Sequence, residues 1–291
     1  MPQYFPLARR EGGERRLVWP TLRRNPWVMV WTMAVAQIIS WGTLFYAFSL
    51  FVVPMHESLG WSPPVLNGAL SLGLLSTGVM AFPVGTWIDR HGGRGVMTLC
   101  SLAGGLLLLA WAQVDTPWVF YGIWVLIGAS MAGVLYEPAF AVITAVFGPD
   151  ARRGITALTL VAGFASTIFM PLTQLLIGAL GWRRALLVLG VLNLALCLPL
   201  HALFVPSATM SPLPAMPKDD APPARGLRGL LRGRVFVGLA LWFTAYNAAQ
   251  TAFIFQFVPL LTTWGVETAA ILTSVAIIGP MQVAGRINRW C

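Results

Sequence analysis

Eight stretches of this chain are apolar for longer than a soluble core helix needs. They run over roughly Trp27–Val53, Pro64–Thr86, Gly95–Val114, Trp118–Phe147, Ile155–Leu180, Ala185–Val205, Val235–Thr263 and Thr268–Gly285. About 20 apolar residues carry an α-helix across the ~30 Å hydrocarbon core of a bilayer. Inside that core a helix satisfies its own backbone hydrogen bonds, whereas a loop exposed to lipid does not. The pattern predicts an all-α membrane protein with about eight transmembrane helices, several long enough to tilt. Composition agrees, because 57% of residues are hydrophobic and only 10% are charged. A soluble domain carries about 25% charged residues. The 13 Trp and 29 Gly suit membrane interfaces and close helix packing.

The connectors are short and hold turn residues: His56 to Gly60, Asp115-Thr116-Pro117 and Gly148-Pro149-Asp150. Short connectors make successive helices antiparallel. Pro206 to Arg234 differs, being rich in Pro, Ala, Gly and Arg without apolar periodicity. It reads as a flexible linker between two bundles. The expected organisation is a basic tail (1–26), a six-helix bundle (27–205), a linker (206–234) and a partial second bundle of two helices (235–291).

The formal charge of +9 would point to nucleic acid in a soluble protein. Here the bases lie between the apolar runs, so they set topology and no nucleic-acid partner is expected. With the N-terminus in the cytoplasm, every Lys and Arg except Arg183 and Arg184 falls on the inner side. That bias follows the positive-inside rule and predicts a multi-pass inner-membrane protein with its N-terminus and linker cytoplasmic. The basic N-terminal segment has no signal-peptide pattern.

Cys100, Cys197 and Cys291 are far apart and form no metal pattern. His56, His91 and His201 fall at membrane edges or connectors and read as solvated. No nucleophile elbow, zinc-protease helix or phosphate-binding loop occurs. No enzyme chemistry, metal or cofactor is expected.

Six helices, a basic cytoplasmic linker and further helices resemble the major facilitator superfamily of secondary transporters. The segment from Gly85 through Asp89, Arg90, Gly92, Gly93 and Arg94 carries the resemblance most strongly. It looks like the family's signature after the second helix: a Gly, an acid four residues on, then Arg, Gly and a further base. Physically, Gly85 allows tight packing at a helix end, and Gly92 and Gly93 permit a sharp reversal. Asp89 can pair with Arg90 or Arg94. The resemblance implies that this cluster steadies one of the alternating conformations. A weaker second copy, without the acid, stands at Gly285-Arg286-Ile287-Asn288-Arg289, with Pro280 placed as Pro83 is. Trp41 to Phe48, Tyr136 to Phe140 and Gly181-Trp182-Arg183 resemble the monocarboxylate or oxalate/formate-type branch. The family normally has twelve helices, so the chain reads as C-terminally truncated.

Glu137 is the acid placed deepest in an apolar run, about 10 residues or 15 Å from its cytoplasmic end. An ionised acid near mid-membrane costs on the order of 3 kcal/mol, so it is protonated, paired or facing a polar cavity. Glu137 is therefore a candidate for proton coupling or cavity lining, or else a structural acid bonded near Pro138. Gln37, Ser40, Thr43 and Tyr46 form a polar stripe along the first span. Asn247 and Gln250 share a face of the seventh, beside Tyr246. The resemblance implies that the first and seventh helices line a central cavity. Candidate solute- or proton-binding residues are thus Glu137, Gln37, Tyr46, Tyr136, Asn247 and Gln250, while Ser40 and Thr43 read better as interhelical hydrogen bonds. Gly163 and Pro171 read as a kink in the fifth span.

The expected function is secondary active transport of a small solute by alternating access, with a proton-coupled organic monocarboxylate as the substrate class. The expected partners are that solute, protons and membrane lipid. No Lys or Arg lies deep in a span, which argues against an anion site within the chain. The alternative is an inactive truncated fragment or a non-transporting regulatory membrane subunit.

Overall fold

The computed structural model describes residues 25–207 and 233–267, together with residues 270, 271, 273, 274, 277 and 281. The basic tail to residue 24, most of the linker and most of the eighth run, together with the Gly285 to Arg289 copy, lie outside the described residues.

The first span opens at Asn25, whose Oδ1 accepts from the Trp27 amide at 2.9 Å, with Pro26 pre-set for the first turn. It continues as α1 (Pro26–Ser40), a π-helical turn (Trp41–Tyr46) and α2 (Phe48–Leu59). Then follow α3 (Pro63–His91), α4 (Gly93–Trp111), α5 (Pro117–Val134) and α6 (Tyr136–Phe147). A 3-10 turn (Gly148–Asp150) leads to α7 (Ala151–Ala162), α8 (Ala165–Leu180), α9 (Trp182–Phe204) and α10 (Arg234–Thr263).

Five described stretches are long and apolar enough to cross a membrane. The longest, Pro117–Leu180, has 64 residues. As one straight helix it would extend about 96 Å, three bilayer cores. It instead reverses at Gly148, whose φ of 54° lies in the region open to glycine. Each half of it is then long enough for one crossing. The run predicted as continuous at Trp27–Val53 is thus built from three helical pieces, and those at Trp118–Phe147 and Ile155–Leu180 from two each.

Two main apolar clusters lie one above the other along the bundle. The larger joins α1, α2, α4, α5 and α9 around an aromatic group. Trp111 and Trp124 are fully buried with ring centroids 5.1 Å apart, and Phe48 meets Trp124 edge-on at 4.7 Å. The smaller cluster, nearer the basic ends of the spans, holds Met29, Val30, Met33, Met97, Val142, Ile143, Leu158 and Val205. The boundary between them crosses four spans. It passes between Ala34 and Ala36, between Met97 and Leu108, between Leu135 and Ala139, and between Cys197 and Val205.

The helix α10 is exposed along most of its described length and touches the bundle where Phe257 packs on Leu50 and Met170.

Candidate functional site at a broken helix

Gln37 follows the boundary between the two apolar clusters in the first span, and Leu135 and Ala139 bracket it in the fourth. The fourth span is interrupted there because of its own sequence. Pro138 has no amide hydrogen, so in a continuous helix the Val134 carbonyl would have no donor four residues on. The backbone leaves helical geometry at Leu135 (φ −81°, ψ −153°), and α6 starts afresh at Tyr136. Gln37 in the first span fills the gap. It is fully buried, and its Nε2 donates to Val134 O at 2.7 Å and to Leu135 O at 3.0 Å. Both partners are carbonyl acceptors, so the amide nitrogen must be the atom facing them.

Glu137 occupies the first turn of α6. The restart sets it at the N-terminal end of a helix, where the backbone amides of the first turn have no partners within the helix. Glu137 is exposed and makes no hydrogen bond or ion pair among the described residues. The alternative of a structural acid bonded to neighbouring backbone is therefore not what this conformation contains. Tyr136 beside it is half-buried, with its ring 4.9 Å from that of Trp41 and stacked on Phe140 at 5.3 Å. Trp41 begins the π-helical turn, where the Ala47 amide bonds back five residues to Gly42 O at 3.0 Å. Tyr46, at the end of the turn, is half-buried with its ring against Phe45 and Trp41. Two buried polar atoms on this wall have no partner among the described residues: Gln37 Oε1, an acceptor, and Trp41 Nε1, a donor. They stand one helical turn apart on one face.

Ser40 and Thr43 point elsewhere. Asn193 Nδ2 donates to Thr43 Oγ1 at 3.0 Å, and Ser40 Oγ lies 3.5 Å from Cys197 Sγ. These are hydrogen bonds between the first and sixth spans. His201 continues the same face of α9, and the expectation of a solvated histidine is wrong for it. It is fully buried, with Nδ1 2.6 Å from Ser101 Oγ. The Ser101 hydroxyl donates to Met97 O at 2.8 Å. Having one hydrogen, it must then accept from His201 Nδ1–H. Asn193, Cys197 and His201 recur every four residues within an apolar run, a spacing that is visible in the sequence and marks one helix face. His56 and His91 are exposed, as expected; His56 Nδ1 lies 2.7 Å from Trp61 O and His91 packs on Trp87.

The segment from Gly85 to Arg94 is helix rather than loop for most of its length. The helix α3 runs through His91, and Gly92 alone makes the reversal, at φ 80°. A Cβ at Gly85 would meet nothing within 4 Å, so Gly85 does not serve close packing among the described residues. Gly93 does, since a Cβ there would collide with Val142 of α6. Asp89 and Arg90 are exposed, and Asp89 forms no ion pair among the described residues. Arg94 is engaged otherwise: its Nε donates to Val205 O at 2.6 Å, capping the C-terminal end of α9 where the linker begins.

Asn247 and Gln250 are both exposed on α10, and Asn247 Nδ2 donates to Phe243 O of its own helix at 2.8 Å. The structure joins Gln37, Tyr46 and Tyr136 around Trp41, with Glu137 adjoining, and places no described contact between this group and Asn247 or Gln250.

Long apolar helices, spans broken at Trp41–Tyr46 and at Leu135, and a buried polar side chain bonded across the second break define a polytopic α-helical membrane protein with discontinuous helices. Residues 30–290 match the family model of the Major Facilitator Superfamily, and the chain belongs to that family. It is 27% identical over 190 residues to the uncharacterized MFS-type transporter YcxA of Bacillus subtilis, covering 62% of this chain and 44% of that one. It is 34% identical over 147 residues to human monocarboxylate transporter 11, covering 48% of this chain and 30% of that one. Multidrug resistance protein MdtH of Cronobacter sakazakii matches at 25% over 239 residues, covering 80% of this chain and 56% of that one. The chain thus spans from about a third to just over half the length of these curated relatives.

Proposed function

We propose that this chain moves a small solute across the membrane by alternating access, with an organic monocarboxylate as substrate class and protons as the coupling ion. The observation that carries the reading is Glu137: an unpaired carboxylate in the first turn of a helix that restarts inside a span. Placed about 15 Å from the end of its span at Phe147, it lies near the middle of a ~30 Å core. A charge at that depth is expensive unless it faces a polar path. An acid that gains and loses a proton while facing opposite sides in turn couples proton movement to solute movement. Membership in a family of transporters and the likeness to a monocarboxylate transporter support the substrate class. The unpartnered Trp41 Nε1, with the Tyr136 and Tyr46 side chains beside it, offers polar groups to a small polar solute. Asn247 and Gln250 belong to the second bundle's side of the path, beyond the linker.

Uptake of radiolabelled monocarboxylates into proteoliposomes holding the chain, across a range of pH, tests the reading. Wild type is expected to respond to an imposed proton gradient, and Glu137→Gln is expected to abolish that response. Identical uptake by the two at every pH removes Glu137 from coupling.

A further inference from the structure

Gln37 carries the inference that reaches furthest, because its chemistry is already committed. It is fully buried in α1, and both hydrogens of its amide point at carbonyls of the fourth span, Val134 and Leu135. Those two carbonyls lie immediately before the break. Pro138 deprives Val134 of its ordinary donor, and the extended backbone at Leu135 takes the second carbonyl out of the helical ladder. In hydrocarbon no water substitutes for the missing donors.

We infer that Gln37 is a positioning residue that braces the break Pro138 opens, tying the first span to the fourth so that Glu137 stays at a helix start. It acts on Glu137 through the backbone and does not itself bind solute. The inference rests on the proposed role of Glu137 for its functional half, while the brace itself is a matter of folding. Three observations converge on it. The donor sits on the helix facing the break, the acceptors are those which Pro138 and Leu135 leave open, and Trp41, one turn further along α1, packs on Tyr136 at the start of the new helix. The side chain therefore belongs to a seam holding the broken ends in register.

A double-mutant cycle decides the point. Gln37→Leu keeps the bulk and removes the donor. Pro138→Ala gives Val134 O a backbone donor of its own. Thermal unfolding of the purified proteins in detergent is expected to show Gln37→Leu lowered by about 5 °C. In the Pro138→Ala background the same substitution is expected to cost less than half as much, because the carbonyl is no longer open. Equal losses in the two backgrounds overturn the brace. Should Gln37→Leu alone fail to accumulate, accumulation of Gln37→Leu/Pro138→Ala supports the brace, and failure of both overturns it. Transport kinetics separate positioning from ligation. A positioning role lowers kcat about tenfold with KM within about twofold, whereas a tenfold rise in KM at unchanged kcat marks a solute ligand and overturns the inference. If the wild-type chain takes up no monocarboxylate, the functional reading falls while the thermal cycle still decides the brace.

Discussion

Gly128 and Gly122 occupy the same helix and differ only in what surrounds them. A Cβ on Gly128 would overlap the Gly73 carbonyl of α3, backbone that cannot swing aside, whereas a Cβ on Gly122 would meet nothing within 4 Å. Gly128→Ala must push α3 and α5 apart and is expected to cost about 1–3 kcal/mol or more. Gly122→Ala is expected to be neutral or to stabilise by up to about 1 kcal/mol, through helix propensity alone. Thermal unfolding of the two variants checks this, and equal shifts would show that the α3–α5 approach is not tight. The same dependence on surroundings governs what the sequence discloses about the site. Glu137 stands out in a linear reading because an acid inside an apolar run is expensive wherever the chain goes. The role of Gln37 does not stand out, because its partners lie 97 and 98 residues away. His201 is hidden from a linear reading for a related reason: it stands near a span's end, and its partner Ser101 is 100 residues away.

Within elements, short polar side chains hold one span to the next. Ser76 Oγ donates to Val125 O at 2.7 Å and Thr77 Oγ1 to Gly128 O at 2.9 Å, reinforcing the line where glycine lets α3 approach α5. At the opposite end of the bundle Arg183 opens α9. Its guanidinium donates to Ala112 O at 2.9 Å, to Val114 O at 3.1 Å and to Asp115 Oδ1 at 2.6 Å. The Asp115 side chain is 74% exposed, so its ion pair with Arg183 is worth about 1 kcal/mol or less. The two carbonyl bonds close the end of α4, and they also go when Arg183 does. Arg183→Ala is therefore expected to destabilise by about 1–2 kcal/mol more than Asp115→Asn. Equal shifts in thermal unfolding would mean that the ion pair accounts for the whole contribution. The spans themselves were legible, since length and hydropathy alone decide whether a segment can cross a membrane. The interruptions at Trp41–Tyr46 and Leu135 were not, because hydropathy runs through them unchanged. Pro138 was visible in the sequence, but proline alone leaves open whether a helix kinks or stops.

Across the whole molecule, charge and hydropathy act on different axes. Hydropathy decides what lies in the membrane, and the placement of arginine decides which way round. Arg90, Arg94, Arg152 and Arg153 cluster at one level of the bundle, Arg183 and Arg184 at the other. We propose that the first level is cytoplasmic and that the linker after Val205 leaves on that side. A single cysteine introduced at Ser211, on a background in which the native cysteines are replaced, tests this in intact cells. It is expected to resist a membrane-impermeant maleimide until the cells are opened. Labelling from outside would invert the topology.

The amino-acid order by itself determined that this chain lives in a bilayer, how its spans are spaced and which family it resembles. Those properties are local sums over windows of about 20 residues and need no knowledge of neighbours. Only the tertiary structure decided which polar groups meet. It spent the Gln37 amide on a broken helix, took Arg94 from Asp89 to the end of α9, and buried His201 against Ser101. A hydrogen bond has a reach of about 3 Å, and which groups come that close depends on how distant segments pack.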